Sequence, residues 1–211
     1  MEIEQKVAYE KPLSDGVKRI FDFLVSLLAL IALSPLFLMM MILIKIGSKG
    51  PVFFKQTRVG KDEKTFQIYK FRTMIVDAEK VGTQITVGKD PRITKIGHFL
   101  RKTKLDELPQ ILNVLKGEMS FVGPRPEVPK YTKLYSEKQK LVFLVRPGIT
   151  DYASIKYRDE NEILGSVNNP EKVYIEEIMP DKLHLNMQYI HNRSLVEDLK
   201  IIFLTLIKIV S

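Results

Sequence analysis

The residues best suited to chemistry are two adjacent acids, Asp106 and Glu107, which open a segment with the spacing of an amphipathic helix. Asp106, Gln110 and Asn113 recur at i, i+4 and i+7, so these polar groups would share one helix face. The helix dipole and cations such as Arg101 would keep a carboxylate here ionised, and an ionised carboxylate can be a covalent nucleophile at phosphorus. Acids at a helix N-terminus are often only capping groups, and the residues alone leave both interpretations open.

Cations that could bind phosphate lie in two further motifs. Arg125 stands between Pro124 and Pro126, and a guanidinium on a stiff backbone suits bidentate binding of phosphate. Lys70 and Arg72 alternate with aromatic residues, which would place both cations on one strand face. A surface arginine and a solvated strand face are the ordinary alternatives for these motifs.

A magnesium site is the metal centre that these residues favour. Mg²⁺ takes carboxylate oxygens together with phosphate and water, and Glu107 is the obvious protein ligand. The chain has no cysteine, which excludes disulfides and Cys-based zinc sites, and its three histidines lack metal-ligand spacing. There is no Walker loop and no G-x-G-x-x-G motif, so phosphate binding would rest on side chains.

Positive charge is concentrated in one part of the chain. The 211 residues carry a net charge of +8, while residues 45–104 hold fifteen Lys or Arg and five Asp or Glu, a net of +10. The parts before and after this segment each have a net charge of −1. Such a segment favours anionic partners, whether nucleic acid, lipid headgroups or phosphorylated substrates.

The segment Phe23–Ile44 is hydrophobic enough to enter a membrane. Its 22 residues contain no charged side chain, and about 20 helical residues span a bilayer core. Ser34-Pro35 lies in the middle and predicts a kink, with the serine hydroxyl bonding to a freed carbonyl. The length of the run and the lack of a cleavage pattern after it argue against a signal peptide.

The basic flanks of this segment bear on its topology. Lys18 and Arg19 precede it, and Lys45 and Lys49 follow it. The positive-inside rule would keep both ends cytoplasmic, which describes a re-entrant hairpin. A spanning helix with a tolerated proline is the alternative, and the residues favour neither.

The remaining patterns predict an α+β protein with a small β-sheet. Leu108, Ile111, Leu112 and Leu115 would face the core in a helix ending at Gly117. The predicted elements are two strands about a polar turn within 51–69, helices at 97–101, 105–116, 130–145 and 194–210, a stiff loop at 121–129 and a turn at 147–148.

The final predicted helix and the domain limits complete this organisation. Ser194 and Glu197 form a capping-box pattern, and the strongly apolar surface of the helix suits either a membrane interface or a core. We expect a lead-in at 1–16, a membrane helix at 17–46 and a compact catalytic domain at 47–211.

Seven stretches together are similar to the monotopic phosphoglycosyl transferases, also called the bacterial sugar transferase family. The resemblance runs from about Val17 to Val210 and rests on the combination, because no single stretch is specific. The stretches are 18–22, 34–35, 56–60, 69–74, 105–110, 113–126 and 146–150. The chain resembles the small members of the family, which consist of the catalytic domain alone.

The resemblance implies a fold and an activity. It implies that the Ser34-Pro35 helix re-enters the cytoplasmic leaflet and that interfacial helices accompany a compact cytosolic domain. Asp106 would be the nucleophile and Glu107 would hold Mg²⁺. A UDP-sugar would donate its sugar phosphate to undecaprenyl phosphate, with UMP released, at the cytoplasmic face of the inner membrane. The expected substrate-binding residues are Lys70, Arg72, Arg101, Gln110, Asn113, Arg125 and Arg146.

Other partners and other functions follow from the same residues. Phospholipid and a second copy of the chain are candidate partners, and nucleic acid is not expected for a transferase. The family often continues Arg-Pro-Gly-Ile-Thr with Gly-Trp-Ala, whereas this chain has Asp151-Tyr152-Ala153, which leaves the sugar open. The competing hypotheses are a membrane-anchored basic protein that binds anionic lipid or nucleic acid without catalysis, and a structural membrane adaptor.

Overall fold

The computed structural model of the protein describes residues 12–78 and 90–210. Within these ranges helices surround two small β-sheets, which confirms the predicted α+β class. The helices are α1 (Pro12–Ala32), α2 (Ser34–Gly47), α3 (Lys95–Lys102), α4 (Gln110–Lys116), α5 (Pro129–Thr132), α6 (Tyr152–Lys156), α7 (Glu160–Gly165), α8 (Pro170–Val173), α9 (Met179–Asn192) and α10 (Leu195–Val210). The strands are β1 (Phe53–Val59), β2 (Thr65–Phe71), β3 (Ser120–Val122) and β4 (Gly148–Thr150). Of the predicted lead-in, residues 1–11 lie outside the described ranges and residues 12–16 belong to α1.

Helices α1 and α2 meet at a sharp bend. The bend between them is 62°, and Pro35 lies in the first turn of α2, where its missing N–H costs little. The hydroxyl of Ser34 donates to the carbonyl of Ile31 at 2.8 Å. The predicted kink and the predicted serine bond are therefore confirmed. Among the described residues no single helix is long and apolar enough to cross a membrane, whereas this bent pair has the required length and composition.

Strands β1 and β2 form the predicted hairpin. They pair antiparallel from Phe53 opposite Phe71 to Val59 opposite Thr65, and the turn between them is a 3₁₀ segment, Lys61–Glu63. Strand β2 extends beyond the predicted limit at residue 69, because its pairing with β1 continues to Phe71. The hairpin carries Lys70 near one end, next to the catalytic candidates.

The predicted helix over 105–116 is interrupted, and this corrects the sequence-based assignment. Residues 105–107 form a 3₁₀ turn, and α4 begins only at Gln110. Pro109 has no N–H to offer the carbonyl of Leu105, so regular α-helical bonding cannot include it. The predicted stop at Gly117 is confirmed, since this residue has φ +84°, a conformation that glycine adopts readily.

The segment 129–150 also differs from its prediction. Instead of one helix over 130–145 there are α5 and a 3₁₀ segment, Gln139–Leu144. Instead of a turn at Pro147-Gly148, the glycine begins β4, which runs parallel to β3. A Cβ added at Gly148 would lie 2.1 Å from the nitrogen of Gly123, so this close approach of two backbones requires glycine.

Lys18 and Arg19 attach α1 to the rest of the protein. The guanidinium of Arg19 donates to the carbonyls of Val114 at 2.6 Å and Leu115 at 2.8 Å, at the end of α4. Lys18 forms an ion pair with Asp198 in α10. Both cations are therefore bound within the protein. The positive-inside argument treated them as a free basic flank, so it now rests only on the two lysines that follow the hydrophobic segment.

Helix α10 begins with the predicted cap. The N–H of Glu197 donates to Ser194 Oγ at 3.2 Å. One side of the helix contributes the buried Ile201 to the main core, and the opposite side is an exposed apolar stripe. The stripe consists of Val196, Leu199, Phe203, Leu206 and Ile207.

Candidate active site

Asp106 lies in the 3₁₀ turn before α4 and is 8% exposed. Burial raises the pKa of its carboxyl above the ordinary value, against the attraction of Lys70, Arg101 and Lys104. The charge of the neighbouring Glu107 also raises this pKa. The sequence indicated only the cations and the helix dipole, which favour the ionised carboxylate, whereas the tertiary fold adds burial, which acts in the opposite direction.

Glu107 is the point where the cations converge. Lys70 Nζ donates to Oε1 at 2.7 Å, and Arg125 binds both oxygens, with Nη1 donating to Oε2 at 3.0 Å and Nη2 to Oε1. Burial alone would raise the pKa of Glu107, but Arg125 and Lys70 together hold this pKa well below its ordinary value. Glu107 is thus an anion bound by two cations, whereas the neighbouring Asp106 is the more basic carboxylate.

The loop that carries Arg125 is fixed on both sides. The carbonyl of Pro124 accepts the N–H of Gly148 at 3.0 Å, and the N–H of Arg125 donates to Asp151 Oδ2 at 3.1 Å. On the other side, Arg58 Nη1 donates to the carbonyl of Pro126 at 3.0 Å. The stiffness expected from two prolines is therefore reinforced by three contacts from two distant segments.

Arg101 is near the dyad, whereas Arg72 has a different partner. Arg101 lines the cavity described below and attracts Asp106, while its Nε donates to Thr73 Oγ1 at 2.9 Å. Arg72 also lines the cavity, but its guanidinium donates to the carbonyls of Ser48 at 2.8 Å and Lys49 at 2.6 Å. Carbonyls at a helix C-terminus attract a cation, so Arg72 connects β2 to the end of α2.

Gln110 and Asn113 are buried inside the fold. Asn113 Oδ1 accepts the N–H of Tyr69 at 3.0 Å, and its Nδ2 donates to the carbonyl of Gln67 at 2.7 Å and to Glu118 at 2.8 Å. Gln110 is 1% exposed, and neither residue is among those that line the cavity. The structure therefore does not bring these two predicted substrate ligands to the open side of Asp106.

Arg146 is separated from the other predicted ligands. Its Nε donates to the carbonyl of Gly117 at 2.9 Å, beyond the end of α4. It lines a minor cleft with Arg19 and Asp22 instead of the cavity around the dyad. Of the seven predicted substrate ligands, the structure brings Lys70, Arg101 and Arg125 close to the two acids.

Sequence reasoning did not include two residues of the site, Arg58 and Asp151, among the predicted site residues. Arg58 binds Glu127 Oε1 at 3.1 Å, and the other oxygen of Glu127 accepts the hydroxyl of Tyr174. Arg58 lies within a stretch used only for the resemblance, and its partner is 69 positions away. Asp151 is completely buried. Asp151 stands directly before a helix, and an aspartate in that position is a capping signal that could have located it.

A cavity of about 910 Å³ joins these groups, within the range of small-molecule sites. Its walls include both acids, Lys70, Arg101 and Arg125, and aromatic side chains farther in. Four lining residues have a buried side-chain N or O atom with no hydrogen-bond partner among the described residues, namely Arg58, Arg72, Ser154 and Asn186. Buried polar groups are usually paired, so these atoms retain hydrogen-bonding capacity that a polar ligand could use.

The acids do not form a metal cage of their own. No group of three or more His, Cys, Asp or Glu side chains with suitable spacing occurs in the described part of the chain. Mg²⁺ often takes only one or two carboxylates together with substrate phosphates. Glu107 fits this mode if Arg125 and Lys70 release one of its carboxylate oxygens. A bound diphosphate would then give both cations a new partner.

Comparison with known proteins gives a consistent result. The family model described as bacterial sugar transferase matches residues 13–211. The UDP-glucose:undecaprenyl-phosphate glucose-1-phosphate transferase of Escherichia coli (strain K12) is 41% identical over 209 residues, covering 95% of this chain. The exopolysaccharide production protein ExoY of Sinorhizobium fredii is 36% identical over 219 residues, covering 97% of this chain. The exopolysaccharide production protein PSS of Rhizobium leguminosarum bv. phaseoli is 40% identical over 206 residues, covering 90% of this chain.

These relatives differ in length. The chain spans 42% of the Escherichia coli protein, but 90% of ExoY and 94% of PSS. The part of the longer relative that matches this chain therefore corresponds to almost the whole length of each shorter relative.

Proposed function

The chain belongs to the bacterial sugar transferase family, and from this premise we propose that it transfers a sugar 1-phosphate from a UDP-sugar to undecaprenyl phosphate. The products would be UMP and a polyprenyl-diphosphate-linked sugar, the first membrane intermediate of a polysaccharide or other glycoconjugate. The observation that supports this proposal most directly is the acid pair Asp106-Glu107, set among Lys70, Arg101 and Arg125 at a cavity. Two phosphates of the donor and one of the acceptor require such a concentration of cations.

The first step is attack by Asp106 on the phosphorus nearest the sugar. A carboxylate oxygen of Asp106 forms a bond to this phosphorus, and the bond from the phosphorus to the bridging oxygen breaks, so UMP leaves with the electron pair. Arg125 and Lys70 would stabilise the charge that develops on the phosphate oxygens. Asp106 is the acid left to act as the nucleophile, because Arg125 and Lys70 already occupy both oxygens of Glu107.

The second step regenerates the enzyme. A phosphate oxygen of undecaprenyl phosphate attacks the phosphorus of the aspartyl ester, and the ester bond to Asp106 breaks, which restores the carboxylate. UMP has left before the acceptor reacts, so the kinetics should be ping-pong.

Magnesium would be held by Glu107 and by diphosphate oxygens. When bound, Mg²⁺ would supply charge neutralisation of the donor diphosphate. Arg125 and Lys70, which occupy Glu107 in this structure, would then be available to the phosphates.

We place the protein at the cytoplasmic face of the inner membrane, with α1 and α2 as a re-entrant pair. The supporting observations are the 62° bend and the exposed apolar side chains on both helices, including Leu28 and Leu38. The exposed stripe of α10 suits the membrane interface. Cysteines introduced at positions 2 and 49 of this cysteine-free chain should be labelled from the same side. Labelling from opposite sides would indicate a spanning segment.

The experiment that tests the activity is UMP release from a panel of UDP-sugars with undecaprenyl phosphate and Mg²⁺. Asp106→Asn should be inactive because an amide cannot form the ester, and wild-type protein with a UDP-sugar alone should gain a sugar phosphate on Asp106. Release of UMP only when both substrates are present, with no adduct, would leave the transfer intact and refute the covalent mechanism. Salt-sensitive binding of anionic lipid or nucleic acid without UMP release would favour a binding protein instead.

A further inference from the structure

Asp151 connects two main-chain groups that belong to different parts of the site. Its Oδ1 accepts the N–H of Ser154 at 2.5 Å, which caps α6, and its Oδ2 accepts the N–H of Arg125 at 3.1 Å. An ionised carboxylate offers two acceptor oxygens and no donor, and the residue is completely buried. Both oxygens are therefore used for positioning.

The bond to Arg125 has a consequence for the acid pair. The Arg125 side chain is 38% exposed, so water competes for its guanidinium and side-chain packing alone does not fix it. The main chain at Arg125 is held by the flanking prolines and by Asp151. With the backbone fixed, the guanidinium reaches both oxygens of Glu107 in a fork.

We propose that Asp151 is a positioning residue for the transfer reaction, acting through Arg125. Its second oxygen holds the Arg125 main chain so that the guanidinium meets Glu107 and the diphosphate of the donor. The inference rests on the proposed function. It gives the segment Asp151-Tyr152-Ala153 a role in phosphate handling, whereas the sequence had associated this segment with the choice of sugar.

Asp151→Asn removes one of the two bonds, and the shorter bond from Ser154 is the one that we expect it to keep. An amide has a single acceptor oxygen, so the variant keeps one bond and presents an N–H where the other oxygen was. We expect kcat/KM to fall about ten- to hundredfold, the usual effect of losing one hydrogen bond to a charged group. Asp151→Ser retains a good capping residue that is too short to serve both groups, and it replaces the amide variant if that variant does not fold.

A double-mutant cycle with Arg125→Ala distinguishes positioning from general stability. If Asp151 acts through Arg125, Asp151→Asn should change kcat/KM less than about twofold in the Arg125→Ala background. Asn169→Ala is the matched control, because Asn169 caps α8 in the same way, accepting the N–H of Lys172 at 3.1 Å. The control should lower the melting temperature with kcat/KM unchanged. An equal loss of activity in both backgrounds, or no loss in the wild-type background, would overturn the inference.

Failure of the proposed function can be distinguished from failure of this inference. If no UDP-sugar gives UMP with the wild-type protein, the transfer reaction is refuted, and the cycle is then measured as affinity for inorganic diphosphate by calorimetry. Weaker binding by Asp151→Asn only when Arg125 is present supports the positioning role. Equal binding by wild type and Asp151→Asn refutes it.

Discussion

Replacing Asn113 by leucine tests the connection that holds the acid pair against the hairpin. The Asn113 amide bonds to the N–H of Tyr69 at 3.0 Å and to the carbonyl of Gln67 at 2.7 Å. These groups are two residues apart in β2 and so point to the same strand edge, while β1 covers the other edge. Asn113 therefore pairs with β2 as a third strand would. Leucine has a similar size but no polar atom.

The magnitude follows from the two main-chain groups that would lose their partner. A buried donor or acceptor left unpaired costs about 1–3 kcal/mol, so Asn113→Leu should lower the free energy of unfolding by about 2–6 kcal/mol. Natural domains have only about 5–15 kcal/mol of net stability. For a chain of this size, about 2 kcal/mol corresponds to a decrease of about 4–8 °C in melting temperature, which is the minimum that we expect.

The measurement is thermal unfolding of the detergent-solubilised protein, followed by circular dichroism. Gln67→Ala is the matched control, because it removes only the exposed side-chain bond to Thr57 Oγ1 at 2.8 Å and leaves the Gln67 carbonyl in place. The control should melt within about 2–4 °C of wild type. If Asn113→Leu melts at the same temperature as the control, the strand-like pairing does not contribute to stability. A raised KM for the UDP-sugar at normal stability would then support the substrate-binding role predicted from sequence.

Three further variants test the site and its attachment to α1. Arg125→Lys should lower kcat/KM about ten- to hundredfold at an unchanged melting temperature, because an ammonium cannot form the fork; activity equal to wild type would reduce Arg125 to a structural residue. Glu107→Gln should raise the Mg²⁺ concentration needed for half-maximal UMP release and severely reduce turnover, and an unchanged Mg²⁺ dependence would contradict Glu107 as the ligand. Arg19→Met should destabilise by about 1–3 kcal/mol through loss of the α4 carbonyl contacts, seen as a lower melting temperature, whereas the exposed Lys45→Met should have no such effect.

Local signals predicted the elements whose structure depends on near neighbours. The bend at Ser34-Pro35, the hairpin and the cap at Ser194 follow from residues within a few positions of each other, and all three are present. The interruption before Gln110 was missed because the helical spacing of the apolar residues continues across Pro109, which lacks the N–H for the bond that would have made that turn α-helical.

The roles of individual site residues depend on distant partners, and here sequence reasoning reached its limit. Arg72 was expected to bind phosphate, but the end of α2 lies beside it and takes its guanidinium. The sequence spacing placed Asn113 on the same helix face as Asp106. In the structure Asn113 instead bonds to the edge of β2 that β1 does not cover. The pKa of Asp106 could not be anticipated either, since its main cause is burial by the tertiary fold.

The bonds of Arg19 affect the position of the acid pair as well as the stability of the protein. Because α4 starts three residues after Glu107 and its seven residues rise about 1.5 Å each, the acid pair lies within roughly 10–15 Å of the carbonyls that Arg19 binds. Arg19 belongs to α1, so the depth of the bent helix pair in a bilayer would set the height of the acid pair above it. In the proposed membrane arrangement, the link between α1 and α4 is therefore a determinant of how far Asp106 lies from a membrane-bound polyprenyl phosphate.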